Sequence, residues 1–104
     1  MSTLTRQQPA QVVPRELEGR VALITGGAGA FGSAISKDLA SAGANIAVHD
    51  LRADAAEQTA DEIRSFGVDS IACVGDISNP EDVERAFAVV LGPALNKGGV
   101  GFTV

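Results

Sequence analysis

A chain of 104 residues with 45% apolar and 20% charged residues has ordinary globular composition and room for one small domain, which excludes wholesale disorder and a multidomain assembly. Its net charge of −5, with no basic run or face, excludes a surface built to follow a nucleic-acid backbone or anionic lipid, and no segment approaches the ~18 consecutive apolar residues of a membrane span. Cys73 is the single cysteine, so an internal disulfide is impossible and a cysteine metal site has too few ligands; this usage fits the reducing cytoplasm.

Residues 1–16 mix Gln, Thr, Ser and two prolines without a sustained period, which predicts a flexible arm carrying no chemistry. They lack the apolar core of a secretory signal, so export is not expected. The fold is expected over residues 17–104. The apolar run Val21, Ala22, Leu23 and Ile24, within Arg20 to Thr25, predicts a first buried strand. A glycine cluster follows, and then Phe31, Ile35, Leu39 and Ala42 recur every three or four residues, predicting a helix from Ala30 to Ala42 with that face buried. Gly43 ends it. Asn45 to His49 predicts a second buried strand, which delivers Asp50 to its carboxyl end. Asp54, with Glu57 three residues on, has capping-box spacing for a second helix whose apolar stripe is Ala56, Ala60, Ile63 and Phe66.

Gly67 stops that helix, and Val68 to Val74 predicts a third strand ending in Gly75 and Asp76. Asn79 then caps a third helix, Pro80 takes its first position, and Glu81 and Asp82 set negative charge against its positive start. Val83, Phe87, Val90 and Leu91 are its expected buried side, with Pro93 near its end. The tail Val100 to Val104 predicts a fourth strand. This alternation gives an α/β fold, half of a doubly wound parallel sheet: Rossmann-like βαβαβαβ in strand order 3-2-1-4. In that order two helices cover one face and only one covers the other, which predicts marginal stability or self-association through an exposed face or edge.

The glycine cluster carries the chemistry. Glycines at a strand-to-helix corner let backbone approach a pyrophosphate, and the helix N-terminus points its N–H groups at the anion. Gly27, Gly29 and Gly32 satisfy GxGxxG, and Asp50 closes the second strand 18 positions after Gly32. A carboxylate there accepts hydrogen bonds from the hydroxyls of an adenosine ribose, favouring NAD over its 2′-phosphorylated form. A solvated turn residue is the alternative for Asp50. His49 faces the opposite side of its strand and is expected to be structural, as is Cys73; Lys37 and Asp38 suit a solvated helix face.

A second phasing starts at Thr25 and Gly26 and resembles TGxxxGxG, the glycine motif of the short-chain dehydrogenase/reductase family. LEGRVALITGG, the pair His49 and Asp50, and VGDISNPEDVERAF resemble successive stations of that family's N-terminal half, over Leu17 to Val104. The resemblance gives Asp76 an adenine contact and Ile77 a place beside the ring, although Asp76 equally suits a simple strand end. The middle glycine of the motif is Ala30 here, and Phe31 takes the usual aliphatic position. The candidate cofactor-binding residues are therefore Thr25, Gly26, Gly27, Gly29, Ala30, Phe31, Gly32, Asp50, Leu51, Asp76 and Ile77, with no metal ligand. NAD is expected rather than NADP, since no Arg or Lys sits inside the loop; Arg52 is the counterargument.

In the family a Tyr serves as general acid/base, assisted by a Lys and a Ser. This chain has no tyrosine, so no catalytic residue is assigned. The resemblance implies the cofactor-binding half of an oxidoreductase that transfers hydride between a nicotinamide cofactor and an alcohol or carbonyl, with the substrate unspecified. The alternatives are a catalytically inactive nucleotide-binding or interaction module, and another Rossmann-type binder using the GxGxxG phasing.

Overall fold

The computed structural model describes residues 15–92, Leu95 and the backbone of residues 101–103. Most of the expected N-terminal arm, Pro93 and the turn before the fourth strand lie outside the described residues. Strand β1 (Val21–Thr25) alternates between two cores, Ala22 and Ile24 joining one and Val21 and Leu23 the other. A strand apolar on both sides is what a parallel sheet covered on both faces requires. With β2 (Asn45–Asp50), β3 (Ser70–Val74) and β4 (Gly101–Thr103) it forms a sheet of order β3-β2-β1-β4, parallel at every step. Three helices connect the strands: α1 (Ala30–Ser41), α2 (Ala53–Arg64) and α3 (Pro80–Leu91).

Helices α1 and α2 cover the face that holds Ala22, Ile24, Ile46 and Val48, contributing Ala40, Ala56, Ala60 and Ile63. Helix α3 covers the other face, where Ala86, Val90 and Leu95 meet Val21, Leu23 and Ala47. The fully buried Ile24, Ile46, Ile63, Val21 and Val48 each stabilise the fold by roughly 1.5–3 kcal/mol relative to exposure. Lys37 is not simply solvated: it pairs with Glu62 of α2 at 3.1 Å, both side chains remaining substantially exposed. Among the described residues no helix is long and apolar enough to cross a membrane.

Several local expectations need correction. The buried line of α1 is Gly32, Ser36 and Ala40; of the expected stripe, Leu39 packs partly buried against the core and Ala42 is half-buried, while Phe31 and Ile35 are exposed, Phe31 to 86%. The reason is steric. A Cβ on Gly32 would stand 2.1 Å from the Gly26 carbonyl oxygen, so Gly32 is pinned to the preceding loop, and the residues one and two turns later are turned onto the sheet with it. Their small side chains let the helix approach closely, and the Ser36 hydroxyl donates to the Gly32 carbonyl at 2.7 Å.

Helix α2 starts at Ala53, with Arg52 at the cap position and Asp54 inside the first turn, so the Asp54–Glu57 capping box does not form. Asp50 takes over this end, its Oδ1 accepting the Arg52 amide at 3.0 Å. Phe66 lies past the helix and is exposed. Strand β3 begins at Ser70 rather than Val68, although Val68 is buried. On α3 the buried residues are Ala86 and Val90, while Phe87 and Leu91 turn outward. One helical row of small and medium side chains fills the space above Val21, Leu23 and Ala47, and the neighbouring row, about 100° away, is left outside. The α3 start matches expectation: the Asn79 side chain accepts the Glu81 amide at 2.9 Å, and Pro80 opens the first turn.

Candidate nucleotide site

The parallel strands bring three carboxyl ends together, and the functional residues collect there. At the tip of β1, Gly26 has φ +64, a left-handed conformation that ordinary side chains rarely adopt. The chain then folds back over β2, with the Gly27 amide donating to the His49 carbonyl at 2.9 Å. No side chain fits at Gly27 either, since a Cβ would lie 2.8 Å from the Ile24 carbonyl oxygen. Gly29 is less constrained, its hypothetical Cβ meeting only the Gly26 carbonyl oxygen at 3.4 Å. Gly29 is also the N-cap of α1, with no side-chain cap bond, and the first turn of α1 holds no acidic residue. Helices α2 and α3, in contrast, carry Asp54 or Glu81 and Asp82 in their first turns. The positive end of α1 thus carries no compensating acidic side chain of its own. Ala30, where the motif has glycine, places its methyl on an exposed surface, as does Phe31 its ring.

Asp50 ends β2 only 6% exposed and ties the corner together. Its Oδ2 accepts the Ala28 amide of the glycine loop at 3.1 Å, and its Oδ1 accepts the Arg52 amide and the Arg52 Nε at 3.0 and 3.1 Å. Burial alone would raise the Asp50 pKa; the hydrogen bonds from Arg52 and the Ala28 amide outweigh it and hold the carboxyl below the usual aspartate range. A solvated turn role is therefore excluded. At the end of β3, the Gly75 amide donates to the Asp50 carbonyl at 3.1 Å. Asp76 Oδ1 accepts the Ser78 hydroxyl at 2.7 Å and the Ser78 amide at 2.9 Å. These bonds, and less strongly the neighbouring His49, lower the Asp76 pKa.

A cavity of about 400 Å³ opens across the strand ends, lined by Thr25, Gly26, His49, Asp50, Leu51, Gly75, Asp76 and Ile77. Leu51 and Ile77, 69% and 59% exposed, offer apolar surface at its rim. Of the sequence-predicted residues, Thr25, Gly26, Asp50, Leu51, Asp76 and Ile77 line this cavity. Gly27, Gly29, Ala30, Phe31 and Gly32 form the adjoining loop and helix start. Two lining residues were not predicted, Gly75 and His49. For Gly75 the available signal was its position between a buried strand and Asp76; for His49 it was a polar residue inside an otherwise apolar strand. Cys73 is partly buried, and burial pushes its thiol pKa up, consistent with an inert filler. Among the described residues no group of His, Cys, Asp and Glu is placed to hold a metal ion.

The profile of a family described as short chain dehydrogenase matches residues 20–93. The 7alpha-hydroxysteroid dehydrogenase of Escherichia coli (strain K12) is 39% identical over 67 residues, which are 64% of this chain and 26% of that protein. An uncharacterized oxidoreductase of Caenorhabditis elegans is 42% identical over 78 residues, 74% of this chain and 25% of its own. The chain therefore spans about a quarter of the length of these relatives. Among solved structures, NAD+-bound xylitol dehydrogenase superposes with a TM-score of 0.70 at 32% identity, covering 73% of this chain and 29% of that one. A 7α-hydroxysteroid dehydrogenase complexed with NADH and 7-oxo glycochenodeoxycholic acid gives 0.72 at 30% identity, covering 82% and 32%.

Proposed function

The chain belongs to the short-chain dehydrogenase family, and from that premise we propose that it is the dinucleotide-holding portion of an NAD-dependent oxidoreductase. The reaction proposed for the whole protein is hydride transfer between the nicotinamide and an alcohol or carbonyl substrate. One observation carries this reading above the others: Cβ atoms at Gly27 and Gly32 have no room, and the loop they shape is hydrogen-bonded to the carboxylate of Asp50. A loop that excludes side chains, beside a helix start with no acidic residue in its first turn, fits a diphosphate, because the anion can then approach the main-chain amides of that turn directly.

Under this reading the Gly26–Gly29 loop, whose Gly27, Ala28 and Gly29 amides are bonded within the fold, leaves room for the diphosphate against the first-turn amides of α1, Asp50 holds the adenosine ribose, and Leu51, Asp76 and Ile77 flank the base. Once bound, the nicotinamide supplies or accepts the hydride. This chain's own part is to bind and orient; it has no tyrosine, and no proton-transfer step is assigned to any of its residues. The dehydrogenase relatives do not support the alternative of an inactive interaction module. The single free cysteine supports work in a reducing compartment, the cytoplasm.

NAD is the proposed form of the cofactor. A 2′-phosphate would meet the buried Asp50 carboxylate, and the neighbouring guanidinium of Arg52 is already paired with that carboxylate at 3.1 Å. The solved relatives carrying NAD+ and NADH support the same choice. Fluorescence titration tests both statements. Saturable NADH binding is expected, at least about tenfold (~1.4 kcal/mol) tighter than NADPH; a folded chain showing no saturable binding overturns the reading, and preference for NADPH overturns the cofactor assignment.

A further inference from the structure

His49 is only 3% exposed, yet its Nε2 has no hydrogen-bond partner among the described residues. A buried polar atom without a partner opposes folding, and in a native structure it calls for an explanation. Its surroundings supply one. His49 is in register with Thr25 on β1 and Cys73 on β3, and its carbonyl anchors the Gly27 amide of the loop. The residue forms part of two walls: that of the nucleotide cavity, and that of a smaller groove of about 190 Å³ between β3 and α3. The charged groups of the groove are already engaged. Arg85 pairs with Asp82, and Asp82 Oδ2 also accepts the Asp76 amide at 2.8 Å. On the cavity side, the base end of the site consists of Asp76 and the apolar rim of Leu51 and Ile77, and Asp76 Oδ1 is taken up by Ser78.

We propose that His49 is a nucleotide-binding residue that reads the purine base, its unpaired Nε2 being kept in the cavity wall for a hydrogen bond with the bound base. This rests on the cavity being the nucleotide site. A neutral imidazole offers one donor and one acceptor, and a purine edge presents both kinds of partner. The terminal torsion of histidine is soft, so a modest rotation brings Nε2 to the cavity surface. The unpaired nitrogen is then a stability sacrifice retained for binding.

That combination separates the inference from a plain packing role. In His49→Phe a ring still fills the wall but the orphan nitrogen is gone. The urea midpoint of the 104-residue chain is expected to hold or rise, while the affinity for ADP-ribose falls at least about tenfold and that for inorganic pyrophosphate, which touches only the glycine loop, stays within about twofold. His49→Leu gives a second, smaller side chain with the same expectation if the Phe ring overpacks. Loss of stability in both variants, or undiminished ADP-ribose binding in either folded variant, overturns the role of His49 and leaves the nucleotide site standing. Failure of the unsubstituted, folded chain to bind ADP-ribose overturns the site itself, and this inference with it.

Discussion

At the scale of single residues, the glycine corner is governed by space, and the glycines are not equivalent. Gly32→Ala places a Cβ 2.1 Å from the Gly26 carbonyl, where backbone must move, so a loss of about 2 kcal/mol or more is expected in urea melts. Gly29→Ala meets only a 3.4 Å contact and is expected to cost about 1 kcal/mol or less, mainly as a poorer cap. Similar losses for both would contradict the packing described. Asp50 gives a pH-dependent counterpart. Its folded pKa is lowered, so its stabilisation is fully present above the unfolded value, about 3.9, and is lost as pH falls through the folded value. Urea melts from about pH 6 to about pH 3 should therefore show the gap between the native chain and Asp50→Asn closing at the acid end; a constant gap contradicts the assignment. Thr25, Gly26, Asp50 and Asp76 were legible in sequence because strand ends announce themselves by apolar runs breaking into Gly and Asp. The ring of His49 was not, since alternation along β2 gives its face but not the cavity that wraps around it.

At the scale of elements, order and type were readable, and helix rotation was readable on α2, where Ala56, Ala60 and Ile63 are buried as expected, but not on α1. Apolar spacing marked α1 as a helix, but Phe31 and Ile35 pointed to the wrong face, and only Leu39 of that stripe packs partly against the core. Close helix–sheet packing selects small residues, so Gly32, Ser36 and Ala40 form the contact with almost no hydrophobic signal of their own. On α3 the expectation held in part: Val90 packs as expected, but beside Ala86, and Phe87 and Leu91 face outward. Capping was legible only where a side chain does the work locally, as with Asn79; at α2 the task belongs to Asp50, which precedes the expected cap by four residues. Asn79→Ala leaves the Glu81 and Asp82 amides without their side-chain acceptor and should lower stability by about 1 kcal/mol, read from the urea midpoint. No loss there would mean that water serves this helix end equally well.

For the whole molecule, the uneven cover of the sheet matters most. Two helices lie on one face and α3 alone on the other, with Phe87 and Leu91 of α3 exposed at 43% and 71%. Apolar surface of this kind favours association, so sedimentation of the 104-residue chain is expected to show mass rising with concentration, and a monomer at all concentrations would contradict that expectation. The central claim is that main-chain amides at the β1–α1 corner hold a diphosphate while Asp50 holds the adjoining ribose. It is tested most directly by titrating NADH into the isotopically labelled chain and following individual amide resonances. Saturable shifts are predicted at the first-turn amides Ala30, Phe31 and Gly32, in the adjoining Gly26–Gly29 loop and around Asp50 and Asp76, with the amides of Lys37 and Glu62 unmoved. A folded chain whose loop amides stay fixed, or whose shifts gather on the outer side of α3, would contradict the account.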